Sequence, residues 1–145
     1  MAEDTVMTLI LAISGSLRAA TSNTALLRAA GALAPDGVEV VLYGGLADLP
    51  LLNPDRDDFA RETAPPEAAD LRSRLEASDG LIISSSEYAH AMPGALKSAL
   101  DWVVSSGEIY QKVGPGETVF TRMPWGPNSS ESALVRLFMP AFAAP

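Results

Sequence analysis

Short apolar runs alternate along this chain with stretches in which apolar residues return every three or four positions. Met7–Ile13 is a nearly continuous apolar run, and such a run reads as a strand buried on both faces, the kind found in parallel sheets. Ser22–Ala34 then places Leu26, Ala29, Ala30 and Leu33 on one helical face, and the Pro-Asp-Gly at 35–37 ends it. Val38–Tyr43 is β-branched and reads as a second strand. Residues 44–66 form an irregular excursion rich in proline and aspartate. Glu67–Ala77 is helical with Ala68, Leu71 and Leu75 inward, introduced by Pro65–Pro66. Asp79–Gly80 turns the chain into a third strand, Leu81–Ser85. Pro93–Ser105 is a helix with Leu96, Leu100 and Val103 on one face.

The order is β-α-β-α-β-α. Alternation of this kind predicts an α/β fold in three layers, a doubly wound parallel sheet with helices on both faces. Such a sheet binds ligands outside the carboxyl ends of its strands, where the strand order reverses. With that reversal between the first and third strands, two loops share the place: 14–23 and 84–93. Both are rich in small and polar residues.

Composition narrows the chemistry. At 145 residues and 48% apolar content the chain fits one domain, 1–145. A net charge of −8 argues against nucleic acid or an anionic membrane surface as partner. There is no cysteine and one histidine, so a thiolate nucleophile, a disulfide and a Cys/His metal site are excluded. No apolar run reaches the length of a membrane span, and the N-terminus carries acids where a secretory signal needs basic residues. The expectation is a cytoplasmic protein with no metal.

The first loop reads ISGSLRAATSN, residues 13–23. Gly15 allows a close backbone approach. Ser16, Thr21, Ser22 and Asn23 offer short donors, and Arg18 offers a planar cationic fork suited to phosphate. The helix beginning near Thr21 or Ser22 directs its free N–H groups and positive dipole end into the same space. One glycine does not make a dinucleotide G-x-G-x-x-G, and no G-K-[ST] follows, so the expected ligand group is a single phosphate. Taken one at a time these residues have plainer readings: an N-cap, a turn glycine, a solvated arginine.

Together with SSSEYAHAMPGALKSALDW at 84–102, this loop resembles the NAD(P)H-dependent FMN reductase family of flavodoxin-like proteins. That family is typified by G-S-x-R-x-x-S-x-N after the first strand and P-E-Y-N-x-x-x-P-G-x-L-K-N-A-x-D-W after the third. Gly15, Ser16, Arg18 and Asn23 match the first motif, with Thr21 for its serine. Glu87, Tyr88, Pro93, Gly94, Leu96, Lys97, Ala99, Asp101 and Trp102 match the second. The resemblance runs from about residue 7 to about residue 110. It implies FMN as cofactor, its phosphate at Ser16, Arg18, Thr21, Ser22 and Asn23. The ring would lie along Ser86, Glu87, Tyr88, Ala89 and His90, largely on their backbone. It implies NADPH or NADH as co-substrate, a small-molecule electron acceptor such as a flavin or quinone, and a homodimer or homotetramer. The flavin carries the redox chemistry, so no catalytic side chain is required. A flavodoxin-like module that holds FMN or another phosphorylated ligand without turnover, and a truncated member that binds nothing, are the alternatives.

Outside the loops, Trp102 reads as core or subunit interface, Lys97 and Asp101 as a weak surface pair at i, i+4, and Tyr88 as a buried aromatic if it does not meet the ring. Two departures are local. Ser86 stands at the motif's proline, loosening the loop, and Ala89 at its asparagine, removing side-chain hydrogen bonds. The tail, 113–145, departs further. Glu117–Arg122 is predicted as a short strand and Ser129–Phe138 as a short helix capped by Asn128 or Ser129, with Pro124, Trp125 and Pro127 in a loop. No fifth strand is expected, leaving the C-terminal part of the fold incomplete, a sheet edge uncovered and the far wall of the flavin pocket missing.

Overall fold

The computed structural model describes residues 7–57 and 63–104, together with the backbone of two strands at 118–123 and 133–138. In chain order the elements are β1 (Thr8–Ser14), α1 (Ser22–Ala32), β2 (Val38–Leu42), a single 3-10 turn (Pro54–Arg56), α2 (Pro66–Ala77), β3 (Gly80–Ser85), α3 (Gly94–Val104), β4 (Thr118–Met123) and β5 (Ala133–Phe138). The sheet runs β2-β1-β3-β5-β4. β1 lies parallel to both β2 and β3, with Ala12 opposite Leu42 on one side and Ile82 on the other. This is the expected α/β arrangement, and its strand order reverses between β1 and β3.

Pleating divides β1 and β3 between two layers. Leu11 and Ile13 with Leu81 and Ile83 face α2 and α3, where Leu71, Leu75, Leu96, Ala99 and Val103 complete the main core. Burying each of these large aliphatic side chains stabilises the fold by about 1.5–3 kcal/mol. Tyr43 joins this core at 5% exposure. Its burial, helped by the carboxylate of Asp70, raises its phenol from 10.0 to about 12. The unfolded chain releases that proton at lower pH than the folded one. The associated stability is therefore intact below pH 10 and is lost as pH rises toward 12. Phenolate absorbance should show one tyrosine ionising near pH 12, with the urea midpoint falling over the same interval.

The other layer corrects the reading of α1. Its buried residues are Asn23 and Leu27, one turn apart, not the stripe of Leu26, Ala29, Ala30 and Leu33. Leu33 caps the helix at 84% exposure. The cause is polar: the buried Asn23 amide bonds to the end of β3 and sets the helix's rotation.

α2 buries a charge. Arg72 falls in the stripe Ala68–Leu71–Arg72–Leu75 and sits at 3% exposure. Its Nη1 and Nη2 donate to the two oxygens of Asp57 at 3.0 and 2.8 Å. Nε and Nη2 donate to the Trp102 carbonyl at 3.0 and 2.6 Å, one of the C-terminal carbonyls of α3. The guanidinium carbon stands 5.7 Å from the Trp102 ring centroid. Trp102 is core, fully buried, and its indole N–H donates to Pro50 O at 2.8 Å. Ser98 Oγ donates to the same carbonyl at 3.0 Å. The irregular excursion after β2 is thus fastened to α2 and α3 at Pro50 and Asp57.

The tail overturns two expectations. β4 begins one residue later than predicted, but Ala133–Phe138 is a strand rather than the end of a helix. β5 inserts antiparallel between β3 and β4, with Ser85 opposite Leu134 and Thr118 opposite Phe138. A fifth strand therefore exists, and the edge of β3 is covered. Ala-Leu-Val-Arg-Leu-Phe is six residues long, and a run so short fits either period. The open donors and acceptors along β3 favour the extended form. Met123 and Ala133 pair at the end of the sheet where β3 has its carboxyl end, Ala133 one strand and Met123 two strands out from β3. The expected loop at Pro124, Trp125 and Pro127, the cap at Asn128 or Ser129 and the far wall of the pocket lie outside the described residues.

Candidate functional site at the switch point

The loops leaving β1 and β3 meet at the reversal of strand order. Gly15 N donates to Ser84 O at 2.8 Å, holding the strand ends together. A Cβ on Gly15 would come within 2.6 Å of Ser85 Cβ and 3.1 Å of Leu96 Cδ2. Close packing of the two strands, not an unusual φ, is what requires glycine here.

Beyond Gly15 the chain opens outward. Residues 17–20 are exposed, and among the described residues no group pairs with the Arg18 guanidinium. Arg18 N donates to Ser16 Oγ at 3.4 Å. Thr21 is the N-cap of α1 and its Oγ1 accepts from Asn23 N at 3.2 Å. Its hydroxyl proton remains available to a ligand, as does that of the exposed Ser22. No acidic side chain occupies the first turn of α1, so the positive end of the helix is not neutralised locally. An exposed cation, hydroxyl donors and a helix start following one strand end suit a phosphate in chemistry.

Asn23 is placed differently from the other four. At 4% exposure its Oδ1 accepts from Ser84 Oγ at 2.9 Å and its Nδ2 donates to Ser86 Oγ at 2.9 Å. Beside it Thr24 Oγ1 donates to Ser14 Oγ at 3.0 Å. Ser14, Ser84 and Thr24 carry no weight in a reading by motif. The signal for them was the row of hydroxyl residues at the ends of two otherwise apolar strands.

The second loop is a miniature hairpin. Tyr88 N donates to Ala91 O at 2.8 Å and Ala91 N to Tyr88 O at 2.9 Å. The two residues between, Ala89 and His90, have φ of 48° and 61°. Positive φ at both central positions is the type I′ geometry, which favours Asn-Gly. Alanine in that region is strained by about 1–2 kcal/mol, and asparagine tolerates it. The asparagine of the family motif thus has a backbone reason at this position. Ala89→Asn should raise the free energy of unfolding by about 0.5–1 kcal/mol, read from a urea titration. Tyr88 is exposed rather than buried, at 52%. His90 is fully exposed, its Nδ1 3.4 Å from Glu87 Oε1. Lys97 pairs with Asp101 on the surface of α3.

A groove of about 460 Å³ lies elsewhere, between α1 and the outer strand β2, lined by Leu27, Gly31, Val40 and Leu42. It lies away from both switch-point loops, and Arg28 and Glu39 also line it. Among the described residues no cluster of acids and histidine is placed to hold a metal, and no helix is long and apolar enough to cross a membrane.

Parallel β2, β1 and β3 with alternating helices, and a strand order that reverses between β1 and β3, define a flavodoxin-like α/β class of protein. The chain belongs to the NADPH-dependent FMN reductase family, whose model matches residues 8–125. It is 38% identical over 95 residues to a probable NADPH:quinone oxidoreductase from rice, covering 64% of this chain and 46% of that protein. It is 37% identical over 93 residues to an NAD(P)H-dependent FMN reductase from Pseudomonas aeruginosa, covering 64% and 48%. Among solved structures it is similar to FerB, a flavoenzyme NAD(P)H:(acceptor) oxidoreductase from Paracoccus denitrificans. That match has a TM-score of 0.58 and 32% identity, over 68% of this chain and 51% of that one. The chain spans about half the length of the curated relatives it matches.

Proposed function

We propose that this chain is an FMN-dependent NAD(P)H oxidoreductase that delivers reducing equivalents to a flavin, quinone or similar small-molecule acceptor. The observation that carries the reading is an exposed Arg18, without a partner among the described residues, in the loop between β1 and the start of α1, with β1 and β3 adjacent so that this loop and the one at 86–93 leave the same end of the sheet. Ser16, Arg18, Thr21 and Ser22 would hold the phosphate, and Ser86, Glu87, Tyr88, Ala89 and His90 would border the ring. FMN, when bound, supplies hydride acceptance and onward electron transfer. The protein's part is to bind and orient. Arg18 and the hydroxyls fix the phosphate end, the hairpin presents backbone N–H and C=O groups, and the exposed Tyr88 offers an aromatic surface at the mouth. No side chain is assigned a proton to move. A cytoplasmic location and assembly into a homodimer or homotetramer belong to the same proposal and rest on the family resemblance.

Purified protein should retain FMN on gel filtration, and the flavin absorbance should bleach on adding NADPH or NADH under nitrogen. For an FMN-holding module without turnover, the flavin would be retained and not bleach. Loss of all flavin on the column would leave neither.

A further inference from the structure

We infer that Asn23 is a positioning residue that couples the two loops of the site through Ser86, and that it is not a phosphate ligand. The inference rests on FMN as the ligand only for its binding arm. Each end of the Asn23 amide makes a bond inside the protein: Oδ1 accepts from the Ser84 hydroxyl and one Nδ2 hydrogen is given to the Ser86 hydroxyl, each at 2.9 Å. The side chain is 4% exposed, and Ser84 beneath it is fully buried. Turning the amide toward a ligand would strip the buried Ser84 hydroxyl of its acceptor, which is unfavourable. Asn23 therefore acts on the ligand indirectly. It sits in the first turn of α1, whose start forms the phosphate side, and it grips the first residue of the loop that forms the ring side. Ser85 Oγ donates to Ser86 O at 3.0 Å, so Ser86 is held at its carbonyl and at its hydroxyl. A serine at this position gains a side-chain fastening that a proline has no donor or acceptor to make.

The coupling makes a specific pattern. A phosphate ligand matters to FMN and not to riboflavin; a loop coupler matters to both. Asn23→Ala, Ser86→Ala and the double variant are compared in the same buffer. Amide hydrogen exchange across 84–91 is read without flavin, and dissociation constants for FMN and riboflavin by fluorescence quenching. In both single variants exchange across 86–91 should rise. Affinity for FMN and riboflavin should fall by the same factor, about tenfold for Asn23→Ala and less for Ser86→Ala, as expected for one or two lost hydrogen bonds. The double variant should match Asn23→Ala, because the bond to Ser86 is already gone. Ser86→Ala leaves Ser84 satisfied and keeps the test open should Asn23→Ala fold poorly. Unchanged exchange in Ser86→Ala would overturn the coupling. So would an Asn23→Ala effect confined to FMN, or additive losses in the double variant. Should the parent protein bind no flavin, the exchange arm still decides the coupling while the proposed function fails by itself.

Discussion

Arg72→Ala is expected to lower the free energy of unfolding by about 3–5 kcal/mol, the range for breaking a buried ion pair from one side. The guanidinium serves three elements at once. It gives two donors to Asp57, two to the carbonyl of Trp102 in the last turn of α3, and a face to the Trp102 ring. Truncation leaves the Asp57 carboxylate at 5% exposure without those donors. It also opens a void beside a fully buried tryptophan. A domain of this size has about 5–15 kcal/mol in total, so a large share of the variant population should be unfolded by mild urea. The control is Arg72→Met with Asp57→Leu, which removes both charges and keeps volume. It should recover most of the loss, because the penalty lies in the stranded charge more than in the bond. Urea unfolding followed by tryptophan fluorescence reads both. A loss under 1 kcal/mol in Arg72→Ala would mean that the excursion at 44–57 is not fastened through this contact.

Arg18→Ala should weaken FMN binding by about 10- to 100-fold, the range for charge-assisted hydrogen bonds, and leave riboflavin within about twofold. The residue is exposed and unpaired among the described residues, so its removal strands nothing and should leave the urea midpoint unchanged. FMN affinity in the parent protein should also fall with added salt, and that dependence should flatten in the variant. Equal losses for FMN and riboflavin would remove the role assigned to Arg18.

Much of the architecture was legible in the pattern of apolar positions. β1, β3, α2 and α3 lie within a residue or two of their predicted bounds, because uninterrupted runs and i, i+3, i+4 stripes leave little choice. Three features were not legible, for identifiable reasons. Asn23 looked like one more donor in a phosphate loop; its use by Ser84 and Ser86 depends on two strand ends coming together across 61 and 63 residues of chain. The Arg72–Asp57 pair joins two residues 15 apart in sequence, one in α2 and one just after the 3-10 turn, although an arginine inside the stripe of Ala68, Leu71 and Leu75 was itself a visible anomaly. β5 was read as helix because Ala133–Phe138 has too few residues to show a period, and its partner supplies the decision. At the site, Ala89 was visible as a departure from the family motif, but its meaning changed. Besides any hydrogen bond an asparagine would make, it is a turn position in left-handed backbone.

The central claim is that this chain holds FMN at the carboxyl ends of β1 and β3. Titrating FMN into isotope-labelled protein and following backbone amide shifts tests it directly. The account predicts that the largest changes fall at 15–23 and 86–91, with those at 16–23 reduced when riboflavin replaces FMN. Shifts confined to the groove between α1 and β2, or no shifts at saturating FMN, would contradict it.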